Sequence, residues 1–252
     1  MILFRLLPFL VALLNVTVFF LQLKYPLEYP WIVLIGVIAL PLGSFGLAWK
    51  RLSFPDLLEK MLPSYILVVA LAFSLLLVEG RFSVLLIIFL VGIASFLSLE
   101  LLFLLAYNPS RYPVNGLSRL TIAYVPIAIW YAASTSSGLM VFLHTDRFWH
   151  ILLMTLLGGI LFRTTGHPGA TSNQNSVWTA LGALLGAQVG LLGTTLPLSM
   201  AMQGTIAALF LCGPLRVRRY MYAPKPTSRQ AWIEGVAFMV AFIASLATAK
   251  WL

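Results

Sequence analysis

The stretch Val177-Trp-Thr-Ala-Leu-Gly182-Ala-Leu-Leu-Gly186-Ala-Gln-Val-Gly190-Leu-Leu-Gly193 decides how this chain is read. Gly182, Gly186 and Gly190 fall four apart, with Ala183 and Ala187 beside them. On a helix that spacing lines the glycines along one face, where missing side chains let another backbone approach closely. Such a face is built for helix contact inside a membrane. A polar, glycine-containing loop, Arg163 to Ser176, precedes it, and a second small-residue-rich segment, about Leu196 to Gly213, follows.

Composition points the same way. Of 252 residues, 61% are hydrophobic and 9% charged, with a mean hydropathy of +0.98. Soluble domains carry roughly a quarter charged residues, which excludes an ordinary globular protein. Repeated apolar runs of roughly 18 residues or more each match a hydrocarbon core about 30 Å thick. The runs are continuous rather than alternating, so a transmembrane β-barrel is excluded. The expected fold is all-α: a polytopic integral membrane helical bundle forming a single transmembrane domain over residues 1–252. The lone cysteine, Cys212, allows no internal disulfide, and CxxC metal or haem motifs are missing. The first apolar run lacks a small-x-small cleavage site and reads as a retained helix.

Nine spans are expected. The first runs over roughly Leu3–Leu23 and the second over Trp31–Trp49, with tryptophans at the ends as interfacial anchors. Lys50 to Leu62 mixes charged and apolar residues and reads as a short interfacial helix, with Ser53 as N-cap and Pro55 in its first turn. Residues 63–106 hold two more spans, divided at Glu79-Gly80-Arg81. The fifth covers about Arg119 to Ser137, ending at Ser134-Thr-Ser-Ser-Gly138, and the sixth about Phe148 to Phe162. Val177–Gly193 and Leu196–Gly213 form a hairpin turning at Gly193-Thr-Thr-Leu-Pro197, because together they exceed one span. Pro214 closes the eighth, a basic loop covers Leu215–Arg229, and the ninth runs from about Gln230 to Trp251.

Net charge is +9. In a membrane protein the ordinary reading is retention of Lys and Arg in cytoplasmic loops, and no nucleic-acid partner is expected. With nine spans, Arg5, Lys50, Arg51, Lys60, Arg111, Arg119, Arg163, Arg216, Arg218, Arg219, Lys225 and Arg229 share the side of the N-terminus. Only Lys24, Arg81, Arg147 and Lys250 face the other side. Twelve against four makes the N-terminus cytoplasmic and suits a multi-pass protein of a plasma or inner membrane.

Polar groups inside apolar runs are the candidate site residues. Glu100, Gln188, Gln203 and Glu234 fall within expected spans. A carboxylate in lipid needs a partner. For Glu100 the expected partners are Arg111, Arg119 or Arg163, and for Glu234 they are Arg229 and the basic loop. Gln188 and Gln203 are expected to pair with each other, since amides in lipid hydrogen-bond across helices. Arg163 and His167 in the polar loop, with Arg216, Arg218 and Arg219 in the basic loop, are candidate contacts for anions or anionic lipid head groups. His144, Asp146 and His150 do not follow a standard metal spacing and read as interfacial polar residues, so no metal is expected. No haem pair or other cofactor is expected either.

The segment Val141 to Met154, which contains His144 and His150, faintly resembles the histidine segment of rhomboid intramembrane proteases. It covers fewer than about twenty residues, no Gly-x-Ser-Gly follows it, and Ser137-Gly138 precedes the histidines. No nucleophile and base can be paired from the sequence, so the protease reading is rejected. The expected function is a non-catalytic subunit or scaffold of a membrane complex, partnered by the bilayer and by other subunits or further copies. A small transporter or channel through Glu100, Gln188, Gln203 and Glu234 is the alternative. A membrane-embedded enzyme using Arg163, His167 and Glu100 on a lipid-linked or phosphorylated substrate comes third.

Overall fold

The computed structural model describes residues 2–25, 29–113, 115–165, 172–196, 198–222 and 228–247. Nine helices occupy the described residues: α1 (Ile2–Lys24), α2 (Tyr29–Ala48), α3 (Phe54–Ser74), α4 (Arg81–Tyr107), α5 (Gly116–Phe142), α6 (Arg147–Thr164), α7 (Ser172–Thr195), α8 (Met200–Tyr222) and α9 (Ser228–Ala247). Seven of them, α1 to α5 with α7 and α8, are long and apolar enough to cross a membrane. The protein is therefore an all-helical, multi-pass integral membrane protein.

Four boundaries differ from the sequence reading, the first being the start of α7 at Ser172 rather than about Val177, so the end of the expected polar loop is helix. The interfacial helix expected over Lys50–Leu62 and the span after it are one helix, α3. It starts as expected, with Ser53 Oγ accepting from the Asp56 amide and Pro55 in the first turn. Pro63 then lies inside it, about two and a half turns along, without ending it. The fifth span does not stop at Ser134–Gly138 but continues to Phe142. Thr135, Ser136 and Ser137 are buried there. Ser136 and Ser137 hydroxyls find partners inside the bundle, so a hydroxyl run that reads as a helix end stays helical. Pro214 likewise falls inside α8, which runs on to Tyr222. The first part of the expected basic loop is helix.

Contacts divide the chain into two compact units, Met1–Tyr124 and Val125–Leu252, with the boundary inside α5. In the first unit α1, α2, α3 and α4 pack on one another. Phe19, Leu40, Leu71, Ile87 and Leu99 are fully enclosed in its core. Small polar side chains stitch it: Asn15 Nδ2 donates to Ser95 Oγ at 2.8 Å, Ser98 Oγ to Ser64 Oγ at 2.8 Å, and Ser44 bonds to Tyr65. These hydrogen bonds join α1 to α4, α3 to α4 and α2 to α3 without exposing a polar group to lipid.

In the second unit α6 and α7 make the most extensive contact of any helix pair among the described residues. The glycine ladder explains it. A Cβ added at Gly182 would meet the Gly158 carbonyl oxygen at 2.6 Å, and one at Gly190 the Ile151 Cα at 2.8 Å. One at Gly186 would collide with the Met154 carbonyl. Partners descend from 158 through 154 to 151 as the glycines ascend from 182 to 190, so the pair is antiparallel.

Candidate functional site

The second unit gathers polar side chains at two places. The first lies among α5, α6 and α8. Ser136 and Ser137 sit side by side on α5, His150 enters from the first turn of α6, and Gln203 enters from the first turn of α8. Asp146 starts α6 by accepting from the Phe148 amide at 2.8 Å, which fixes where His150 points one turn later. All four side chains are buried, Ser137 completely.

Two short chains of hydrogen bonds result. Ser136 Oγ donates to the Ala133 carbonyl at 3.1 Å and lies 2.9 Å from His150 Nδ1. With the serine proton so directed, Nδ1–H donates to Ser136 Oγ and Nε2 keeps its lone pair, an assignment made from the network. In the second chain Ser137 Oγ donates to Gln203 Oε1, and Gln203 Nε2 donates to the Leu198 carbonyl at 3.2 Å. The chains meet at Gly193. A Cβ there would lie 2.7 Å from His150 Nε2 and 3.0 Å from Gln203 Oε1. The missing side chain opens a cavity, lined also by Ala133, Val189, Leu196 and Ile206, with room for about one water molecule. A donor entering it would meet two acceptors.

The chemistry is that of a tie between helices. Ser136 and His150 are within hydrogen-bond reach, as a nucleophile and base would be. Yet Ser136 does not line the cavity. No further hydrogen bond orients the histidine among the described residues. Trp130 Nε1 adds a bond from α5 to Thr205 on α8 at 3.1 Å. Gly204 lets α8 lie directly on the Trp130 carbonyl and Ser134.

The second place lies between α7 and α8. Arg218 is only 2% exposed, although its neighbour Arg219 is exposed and Arg216 half-buried. Its Nη2 donates to Asn175 Oδ1 at 2.6 Å, and its guanidinium lies over the Trp178 ring, 5.6 Å from the centroid. Trp178 stacks in turn on Phe162 of α6, with centroids 6.3 Å apart, and Phe162 occupies the notch at Gly182. A planar guanidinium can lie over the ring and still donate in its own plane to Asn175, a combination that a single ammonium centre matches poorly. Continuation of α8 beyond Pro214 causes the split. Successive helical residues turn by about 100°, so Arg218 points inward while Arg216 and Arg219 do not.

The other candidates are dispersed. Glu100 is half-buried on α4 and forms no ion pair with Arg111 or Arg119, which are exposed at the turn into α5. The expected Glu100 pairing with those two arginines is thereby corrected. Gln188 and Gln203 do not pair: Gln188 is exposed on α7, whereas Gln203 is held by Ser137 and Leu198. The reason is rotational, because Gln188 lies about 200° around the helix from Gly186, which faces α6. Arg163 is exposed at the end of α6. His167 and the Glu234 side chain lie outside the described residues. Asp146 is turned to its cap, His144 is exposed and His150 is buried, so the three do not gather. Ser136 and Ser137 are the residues that sequence reasoning missed. Their only signal was a dense hydroxyl run ahead of a histidine-bearing helix.

No protein family, curated protein or solved structure matches the chain.

Proposed function

We propose that the protein is a non-catalytic integral membrane subunit of a protein complex. The observation that carries this reading is the closure of four buried polar side chains, Ser136, Ser137, His150 and Gln203, on one another. Ser136 with His150, and Ser137 with Gln203, join α5, α6 and α8 around a space for about one water. A solute path needs a run of polar positions, and an active site needs reactive atoms facing a substrate-sized cavity. Neither pattern has support among the described residues, whereas satisfied amide and hydroxyl pairs are how membrane helices hold together.

In this reading all nine helices cross the bilayer as one transmembrane domain, with the N-terminus cytoplasmic. The antiparallel contact supports counting α6. It lies along α7, a candidate span, and its 18 residues reach about 27 Å. Charge supports the same count. Were α6 not to cross, Arg216, Arg218 and Arg219 would face away from Arg111 and Arg119, against the positive-inside bias. Exposed Arg163 and Arg219 then meet anionic head groups, each worth about 1 kcal/mol near the surface.

Purification of the tagged chain in mild detergent, followed by native mass measurement, tests the proposal. A stoichiometric assembly is expected. A lone monomer under conditions that preserve its fold would overturn it.

A further inference from the structure

Helix α7 has two faces, and α6 covers one. On the opposite side Val177, Leu181, Leu184, Gln188, Leu191 and Thr195 are all exposed, at alternating steps of four and three residues. From Leu181 to Leu191 they are the only exposed positions. That alternation is the 3.5-residue repeat of a coiled-coil seam. The opposite face repeats every four, which is the spacing of the glycines. Of the candidate spans, α7 is also the least buried.

Gln188 stands in the middle of the stripe. It is exposed and makes no hydrogen bond among the described residues. Lipid tails offer it neither donor nor acceptor. A primary amide carries both, and so complements itself. Two copies of one chain, inserted in the same orientation and related by an axis along the membrane normal, bring this residue to the same depth automatically. A different protein would need a hydrogen-bonding side chain of its own placed at that depth. No charged residue lies on α7, so no like charges face each other across such an axis. One polar residue within an apolar seam also sets the register of the pair.

We infer that α7 is the seam of a parallel homodimer, in which a second copy of this chain packs on Leu181, Leu184 and Leu191 and the two Gln188 amides hydrogen-bond to each other. The inference rests on the subunit reading and names the partner.

Cysteine cross-linking of the full chain in its membrane tests it. In a Cys212→Ser background, Leu184→Cys and Leu191→Cys should each give a disulfide-linked dimer under mild oxidation. Phe89→Cys, equally exposed but on α4, should not. Adding Gln188→Leu to Leu184→Cys should weaken dimerisation about tenfold, the effect of one strong interhelical amide bond. Gln188→Asn should retain most of it. Gln188 is exposed, so Leu there leaves the fold intact, which a circular dichroism spectrum checks. Cross-linking at Leu184 no greater than at Phe89, or unchanged by Gln188→Leu, overturns the inference. Cross-links to a different protein overturn the second copy but keep the subunit reading. A monomer free of any partner overturns both.

Discussion

Gly186→Ala is the smallest change that should open the second unit. The added Cβ would sit 2.8 Å from the Met154 carbonyl carbon and 3.1 Å from the Thr155 Cα, with the carbonyl oxygen closer still. Ordinary carbon contacts lie at about 3.5–4.0 Å, so α6 would have to retreat by about 0.7 Å or more. Both obstructing groups are backbone, so no rotamer change relieves the clash. Gly182 and Gly190, one turn away on either side, would lose their close contacts with Gly158 and Ile151 together. The expected cost is about 1–3 kcal/mol, the range for overpacking, reduced by up to about 1 kcal/mol because alanine is the better helix former. Gly46→Ala in α2 supplies the control, since its Cβ would meet only Leu7 Cδ2, at 3.9 Å. That variant should be neutral or slightly stabilised. Reversible unfolding of purified protein in mixed micelles, titrated with a denaturing detergent, measures both. A Gly186→Ala stability equal to that of Gly46→Ala would refute the close-contact reasoning.

Other outcomes follow from the same geometry. Gln203→Leu alone should destabilise by about 1–3 kcal/mol, because it strands the buried Ser137 hydroxyl. Adding Ser137→Ala should recover part of that loss, and a double-mutant cycle in the same titration reads the coupling. Arg218→Lys should cost nearly as much as Arg218→Ala, since an ammonium cannot both stack on Trp178 and reach Asn175 as the guanidinium does. Near-complete rescue by lysine would show that charge alone matters there. For topology, a reporter fused after Asn108 should read cytoplasmic and one at Asp146 external, as the charge bias requires. The reverse pattern would sink the orientation.

The class of protein, the position of most helices and the packing role of the glycines at 182, 186 and 190 were legible in the chain itself. Each is a local property. Hydropathy over some twenty residues decides whether a helix can cross, and a four-residue spacing of glycines needs no partner to be recognised. The N-cap at Ser53 was readable for the same reason, because its acceptor and donor lie three residues apart. Proline and hydroxyl signals misled at Pro214 and Ser134–Gly138, where surrounding helices let the backbone continue.

Only the tertiary structure decided which polar groups meet. Ser136 and His150 are 14 residues apart, Asn175 and Arg218 are 43, and Ser137 and Gln203 are 66. A helical period says which residues share a face but not which helix that face will meet. Thus Gln203 could be seen to need a partner, while the identity of Ser137 could not. Gln188, read in sequence as its equal, emerged on the opposite side of α7, two residues beyond a glycine that α6 covers. The sequence determined that these amides must be satisfied, since hydrocarbon cannot do it. The packing of α5, α6 and α8 satisfied one within the chain and left the other facing outward.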